Sequence, residues 1–440
     1  MTATTHNPVN RGELMALAVP AALAALLQHA FRPLDQFYVG WLGREPQAAL
    51  GATTFVIILS YAGYMLVSAG VGPLVARATG AQRPEERARV IGAGISACFL
   101  LYFLLMAVVL LFSQWIVIGL GLEGDAAIHA EQYLRVLFVT GLALPFSPLI
   151  DASLIAMGNT RTPLLIQTGV LVVNAIGTPA LMFYWDFGVA GAALGTTVAQ
   201  LAGVVGGLFL LCRSAGVRVV HLGLGPLVRK VMKIGLPIGI ATAMYSLVYW
   251  VLLGTSISRL GSHVNAALGI GFSGLEATTW PVFMGVSVAV SSIVGRRLGQ
   301  GQPEEAWRAL KLTLGPQVAL GTVAGCIFYF LGPLIVAPFS ADEQVYEQAV
   351  IYAVVLAWSQ PFVALEALFE GVLAGAGDTK RVLLGTVPYN VLRIPLAWIF
   401  AFPLSMGAAG IWWAINVTTI MKALAKGWMV YRGAWARLTL

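Results

Sequence analysis

The chain is built from long apolar runs separated by short polar connections. Stretches of membrane-spanning length occur at 14–43, 48–76, 90–114, 130–157, 162–184 and 188–212, and again at 231–260, 265–295, 310–338, 345–375, 380–402 and 406–431. A helix needs about 20 apolar residues to cross the hydrocarbon layer of a bilayer, and each run meets that length. The pattern predicts an all-α integral membrane protein with about 12 transmembrane helices, six in each half of the chain.

The halves also repeat in sequence, at a spacing of about 218 residues. VARATGAQRPEER (75–87) returns as VGRRLGQGQPEEA (294–306), which sets Gly80, Pro84, Glu85 and Glu86 against Gly299, Pro303, Glu304 and Glu305. LAVP ending at Pro20 matches IGLP ending at Pro237, and AALG ending at Gly51 matches AALG ending at Gly269. LIAMGNTR (154–161) matches LAGAGDTK (373–380), while Asn174 and Pro179 answer Asn390 and Pro395. Two copies of one hydrophobic unit predict two pseudo-symmetric six-helix bundles, an N-terminal lobe at 1–212 and a C-terminal lobe at 231–440. A cleft between or within such bundles is where a transporter holds its substrate. The connection at 213–230, RSAGVRVVHLGLGPLVRK, alternates apolar and basic residues as an amphipathic surface linker would.

Composition agrees with a bilayer environment: 58% of residues are hydrophobic and 10% charged, and the mean hydropathy is +0.83. The net charge of +7 is distributed by face. Arg77, Arg83, Arg87 and Arg89, then Arg161, then Arg213, Arg218, Arg229, Lys230 and Lys233 follow every second span of the first half. Arg296, Arg297, Arg308 and Lys311, then Lys380 and Arg381, then Lys422, Lys426, Arg432 and Arg437 do so in the second. Connections on the other face carry little beyond Arg44 and acids such as Glu123, Asp125, Asp186, Asp342 and Glu343. The positive-inside rule places both termini in the cytoplasm of a multi-pass plasma-membrane protein. It also accounts for the basic balance without nucleic acid as a partner. The apolar run after Arg11 is read as a retained first span, because 231–260 repeats it. Cys98, Cys212 and Cys326 lie inside spans at unrelated positions and give no metal-ligand spacing.

Charges at hydrocarbon depth cost about 3 kcal/mol each on insertion scales, so those present need a reason. Five carboxylates qualify, Asp35, Asp151, Glu276, Glu366 and Glu370, with Arg32, Arg135, Arg259 and Arg393 as basic residues in or near the spans. A carboxylate in a low-dielectric cavity beside a polar partner can alternate between holding a proton and holding Na⁺. Asp35 lies near the end of the first span, where Pro20 is expected to loosen the helix and let it bend; a plain ion pair with Arg32, one turn away, is the bland alternative. Glu366 and Glu370 stand one turn apart and should not both ionise cheaply in an apolar bundle. Either one is protonated, or a cation sits with them, or they bond to backbone or Arg393. Tyr38, Tyr64, Met65, Tyr245, Trp280 and Met284, with Phe31 and others, would suit a cavity for flat organic cations, although such residues are more often packing.

LDQFYVGWLG (34–43), VARATGAQRPEE (75–86), AMGNTRTP (156–163), VGRRLGQGQPEE (294–305) and GVLAGAGDTK (371–380) together resemble the multidrug and toxic compound extrusion (MATE) transporters, and the resemblance covers the whole chain. It is similar to the DinF-like branch, and that resemblance implies a coupling proton or Na⁺ on Asp35, supported by Asn174 and Thr196. The helix 5 carboxylate of the branch falls at Thr178, which cannot ionise. One acid in place of two favours a proton or a weaker Na⁺ site, for which Asp35, Asn174, Thr178 and Thr196 could still supply oxygens. Other branches place a coupling Glu in helix 7; here that helix has no acid, and Tyr245 lies near the position. Glu276, Glu366 and Glu370 are then the second-lobe candidates.

The function these features imply is secondary active efflux of organic, cationic or amphiphilic compounds in exchange for H⁺ or Na⁺, by alternating access, from a functional monomer in membrane lipid. No nucleotide-binding loop is present for ATP drive, no cofactor is implied, and His29, His129 and His263 stand alone, which argues against an enzyme. The rival reading is a lipid or lipid-linked oligosaccharide flippase of the same wider superfamily. Such proteins line a central cavity with Arg or Lys for phosphate, whereas the basic residues in these spans are few and dispersed.

Overall fold

The computed structural model describes residues 8–42, 44–119, 124–339 and 342–439, without the side chains of some positions, most of them between 29 and 58; Glu123 and the side chains of His29, Phe31, Arg32 and Arg44 lie outside the described set. Helix follows helix, with no strand among the described residues. The first half contains α1 (Arg11–Gly40), α2 (Arg44–Gly80), α3 (Pro84–Gly119), α4 (Gly124–Thr140), α5 (Phe146–Ala156), α6 (Arg161–Pro179) and α7 (Gly188–Ala215). The second contains α8 (Pro226–Leu252), α9 (Ser262–Ile270), α10 (Ala277–Gly299), α11 (Pro303–Cys326), α12 (Gly332–Val336), α13 (Glu343–Ala357), α14 (Gln360–Ala376), α15 (Thr379–Ala401) and α16 (Gly407–Tyr431).

Nine of the described helical passages are long and apolar enough to cross a membrane, and the α13–α14 pair, bent by 58°, makes a tenth. The fourth and twelfth spans of the sequence pattern fall on the broken pair α4–α5 and on α16. The break leaves α4 with 17 residues and α5 with 11, and α16 carries Lys422 and Lys426. Pro84 and Pro303 open α3 and α11 with a glutamate pair in the first turn, where a missing N–H costs nothing and negative charge meets the helix dipole. α1 runs unbroken through Pro20 to Gly40, so the bend anticipated there is not an interruption of the helix.

The halves exchange helix starts at the basic end of the molecule. Val9, Leu14, Leu17 and Ala18 at the start of α1 pack with Ala289, Val290, Ile293 and Val294 of α10. Val228 and Val231 at the start of α8 pack with Val67, Val71 and Ile91. Glycines allow these close crossings. A Cβ on Gly80 would lie 1.9 Å from the Arg296 carbonyl oxygen, and one on Gly299 would lie 2.2 Å from that of Arg77. Gly70 and Gly235 meet the carbonyls of Val231 and Leu66 in the same reciprocal manner. Arg77 donates to the Ala376 carbonyl at 2.9 Å, and Glu13 of α1 bridges to Arg296 and Arg297 at 3.5 and 3.4 Å. The motifs that repeat along the chain are therefore the surfaces with which the halves close on each other.

Candidate functional site

The polar centre of the first half is assembled by one stripe of α6. Its buried residues Pro163, Gln167, Val170, Asn174 and Thr178 recur every three or four positions, which places them on one helix face. Gly195 lets α7 close against that face, since a Cβ there would lie 2.3 Å from Thr178 Oγ1. The neighbouring Thr196 then reaches α1. Its hydroxyl donates to Asp35 Oδ2 at 2.8 Å, and Asn174 Nδ2 approaches Asp35 Oδ1 at 3.5 Å, Thr196 Oγ1 at 3.3 Å and Thr178 Oγ1 at 3.0 Å. Asp35, Asn174, Thr178 and Thr196, drawn from three helices, thus converge. Asp35 is 7% exposed, Asn174 and Thr178 fully buried.

Asn174 Nδ2 stands among the three oxygens, in the place a shared cation would take, while Asn174 Oδ1 has no hydrogen-bond partner. A buried amide oxygen left unpaired costs about 1–3 kcal/mol, so the cluster as arranged is one hydrogen-bond donor short. One turn beyond Asp35, the Tyr38 hydroxyl donates to the Ala175 carbonyl at 3.1 Å and ties α1 to α6.

In the second half the structure changes the reading of Glu366 and Glu370. Lys422 Nζ lies 3.0 Å from Glu366, and Lys426 Nζ lies 2.9 Å from Glu366 and 2.6 Å from Glu370. The carboxylate pair is neutralised by two lysines of α16, so neither a bound cation nor Arg393 is needed. Arg393 instead donates to Thr418, Tyr249 and Thr419, with its guanidinium 5.4 Å from the Tyr249 ring centre. Lys422 and Lys426, which charge bias alone assigned to the cytoplasmic edge, are 6% and 0% exposed. The signal that could have found them is their spacing: two lysines one turn apart in one span, matching two glutamates one turn apart in another.

The remaining candidates are separated. Glu276 accepts from the Tyr352 hydroxyl. Asn390, the sequence counterpart of Asn174, is buried with neither amide atom bonded, so the polar cluster is not duplicated. Tyr64 is packed in the core, whereas Tyr245 and Trp280 are each 39% exposed. Met284 packs with Phe283, Ala364 and Ala367, and Met65 is half-buried. An apolar groove of about 370 Å³ between α14 and α16, lined by Phe362, Phe369, Leu424, Trp428 and Tyr431 among others, contains none of them.

Comparison with known proteins agrees with this architecture. The "Probable multidrug resistance protein NorM" of Thermotoga maritima is 26% identical over 98% of this chain and 94% of its own length. The "Multidrug export protein MepA" of Staphylococcus aureus is 22% identical over 95% and 93%. The structure of a MOP superfamily transporter from Pyrococcus furiosus superposes with a TM-score of 0.90, at 18% identity, over 97% of this chain and 96% of that one. The MatE family model matches twice, at 20–180 and at 237–399, one match to each copy of the internal repeat. A twice-repeated, all-helical membrane chain with these matches along nearly its whole length is a member of the MatE family of multidrug and toxic compound extrusion transporters, and not an enzyme.

Proposed function

We propose that the protein is a monomeric antiporter of the plasma membrane, with both termini cytoplasmic, that exports organic cationic or amphiphilic compounds in exchange for protons entering through Asp35. The names of the NorM and MepA relatives support drug export as the direction and cargo class. The observation that carries the coupling is the burial of Asp35 at the junction of α1, α6 and α7, held by Thr196 and Asn174. A proton on Asp35 would supply the missing donor: if the Asn174 amide turns over, its unpaired Oδ1 accepts from the new carboxyl O–H. The same step removes the charge that Thr196 and Asn174 hold and changes which bonds tie α1 to α6 and α7. Na⁺ binding would require that amide turn together with displacement of Nδ2 from among the oxygens, and Thr178 offers only a neutral ligand.

α1 can carry this change to the far face. Asp35 and Glu13 stand about 33 Å apart on one helix at 1.5 Å per residue, and Glu13 holds Arg296 and Arg297 of the second half. The exchange of partners at one end of α1 thereby bears on the contact that closes the basic end, while lobes 1–212 and 231–440 rock about the linker 213–230. The test is efflux of a fluorescent organic cation from cells or oriented vesicles under imposed proton or Na⁺ gradients. Wild type should export down a proton gradient and Asp35→Asn should not. Unimpaired export by Asp35→Asn would refute coupling at this site, export driven by Na⁺ alone would replace the proton, and no export by wild type would revive the flippase reading.

A further inference from the structure

The second half neutralises the acid pair Glu366 and Glu370 with two lysines, and the first half has no such arrangement around Asp151. A shift of 219 residues superposes LIAMGNTR on LAGAGDTK and GVAG (188–191) on GAAG (407–410). Under the same shift Glu366 and Glu370 correspond to Ser147 and Asp151, and Lys422 and Lys426 to Gly203 and Gly207. The first half therefore keeps one acid of the pair and neither ammonium.

The structure brings these positions together. Asp151 on α5 is partly buried, and its Oδ2 accepts from Gln167 Nε2 at 3.1 Å. The same nitrogen is 3.3 Å from Ser147 Oγ. Gln167 is 1% exposed, and its Oε1 has no hydrogen-bond partner. Ser147, Asp151, Gln200 and Gly203 line a void between α5, α6 and α7 that is too narrow for a water molecule. Among the described residues no basic side chain lies within ion-pair distance of Asp151. Apart from Arg44 and Glu45 at the opposite end of α2, the charged residues of the helices packed on α5 sit at the basic end: Arg77 on α2, Glu85, Glu86, Arg87 and Arg89 on α3, Arg161 on α6, Arg213 on α7, and Arg296 and Arg297 on α10. Arg77 is engaged with Ala376 and Arg296 with Glu13. The other titratable groups of these helices, Tyr61 and Tyr64 on α2, Cys98 and Tyr102 on α3, and Cys212 on α7, bring no positive charge.

We propose that Asp151 is a second proton-binding site; its counterpart in the other half, Glu370, is neutralised instead by the fixed ammonium group of Lys426. An unpaired carboxylate at this depth costs several kcal/mol. The void leaves no room for a hydrated ion, and a proton neutralises the charge without adding volume. The bond formed is O–H on the Asp151 carboxyl, the proton exchanging with water at the partly exposed side of the residue and not through the void, and the unpaired Gln167 Oε1 is the acceptor available to the protonated form if the amide turns over. Gln167 lies two turns from Asn174 on the same stripe of α6, about 10 Å nearer the basic end. Asp151 is thus a station beyond Asp35 on the inward side, a placement in the cycle that rests on the coupling proposed for Asp35.

Infrared difference spectra of the full-length protein in lipid nanodiscs, recorded against pH in the protonated-carboxyl C=O region, test this. The set comprises wild type, Asp35→Asn, Asp151→Asn and Asp151→Glu, at constant pH with and without Na⁺. Asp151→Asn should remove a titrating band that Asp35→Asn leaves in place, and Asp151→Glu should shift that band without abolishing it; the glutamate variant decides the matter if the asparagine variant does not fold. Spectra unchanged in both Asp151 variants would overturn the proposal, and so would loss of the band on adding Na⁺ at constant pH, which would make the occupant a metal ion. Normal proton-driven export by Asp35→Asn with the Asp151 band intact would sink the Asp35 reading alone.

Discussion

Replacing Lys426 by methionine should strand a charge inside the α14–α16 seam. Lys426 is fully buried and serves two carboxylates, at 2.9 Å to Glu366 and 2.6 Å to Glu370, while Lys422 serves Glu366 alone at 3.0 Å. Without Lys426, the Glu366–Lys422 pair survives and Glu370 loses its partner. Removing one member of a buried ion pair typically costs about 3–5 kcal/mol, mostly as the penalty of the uncompensated charge left behind. The Glu370 side chain is 30% exposed and can relax outward, which places the expected loss near 3 kcal/mol, more than a hundredfold in the folding equilibrium at about 1.4 kcal/mol per decade. The neutralising double variant Lys426→Met/Glu370→Gln removes the orphan together with its partner and should recover about 2 kcal/mol or more of that loss, since buried pairs are often replaceable by neutral groups at little net cost. The assay is a double-mutant cycle on equilibrium unfolding in mixed SDS micelles. A single variant that costs under about 1 kcal/mol, or a double variant no more stable than the sum of the two single ones, would refute the account of a mutually neutralised cluster.

Gly299→Val should prop the halves apart at the basic end, because its Cβ would sit 2.2 Å from the Arg77 carbonyl oxygen; labelling of a cysteine introduced at Ala376 from that face should quicken, and an unchanged rate would show that the contact does not close the passage. Thr178→Asp places a second carboxylate beside Asn174 and Asp35, and should tighten Na⁺ binding about tenfold or more, or about 1.4 kcal/mol, in a titration read by thermal stability; indifference to Na⁺ would show that the site cannot reshape around a metal ion. Outside the membrane, the hydrogen bond from His221 and the charge of Arg89 hold the Glu85 carboxyl below its usual range. A lowered carboxylate contributes fully above its ordinary value near about 4.3 and loses the contribution as pH falls through the lowered one. Amide protection at His221 and Gly223 should therefore fall on acidification below that range in wild type and stay low throughout in Glu85→Gln; protection independent of pH in wild type would contradict the linkage.

Much of this protein was legible in one dimension. A membrane span is defined by length and apolarity, which a window along the chain measures directly, and a duplicated unit leaves matching residues at a fixed interval. The spans and the repeat followed from those two regularities; the grouping of Asp35, Asn174 and Thr196 came instead from the family resemblance carried by the sequence motifs, and the structure brings these residues within hydrogen-bond reach. The α4–α5 break and the charges on α16 mark where the window blurs, because it averages over residues facing in different directions.

Only the tertiary structure decided which charges meet. Lys422 and Lys426 near the end of a span read in sequence like the snorkelling lysines of a cytoplasmic rim, yet rotation of α16 about its own axis turns them onto Glu366 and Glu370. Arg393, the closer guess, faces Tyr249. Asn390 repeats Asn174 in sequence and finds no partner in space. Hydropathy and spacing fix how deep a residue lies along a helix, but the azimuth of each helix is set by packing against its neighbours. The electrostatics of an intramembrane charge depend on that angle, since in a medium without water a carboxylate is governed by whichever side chain lies within a few ångströms of it.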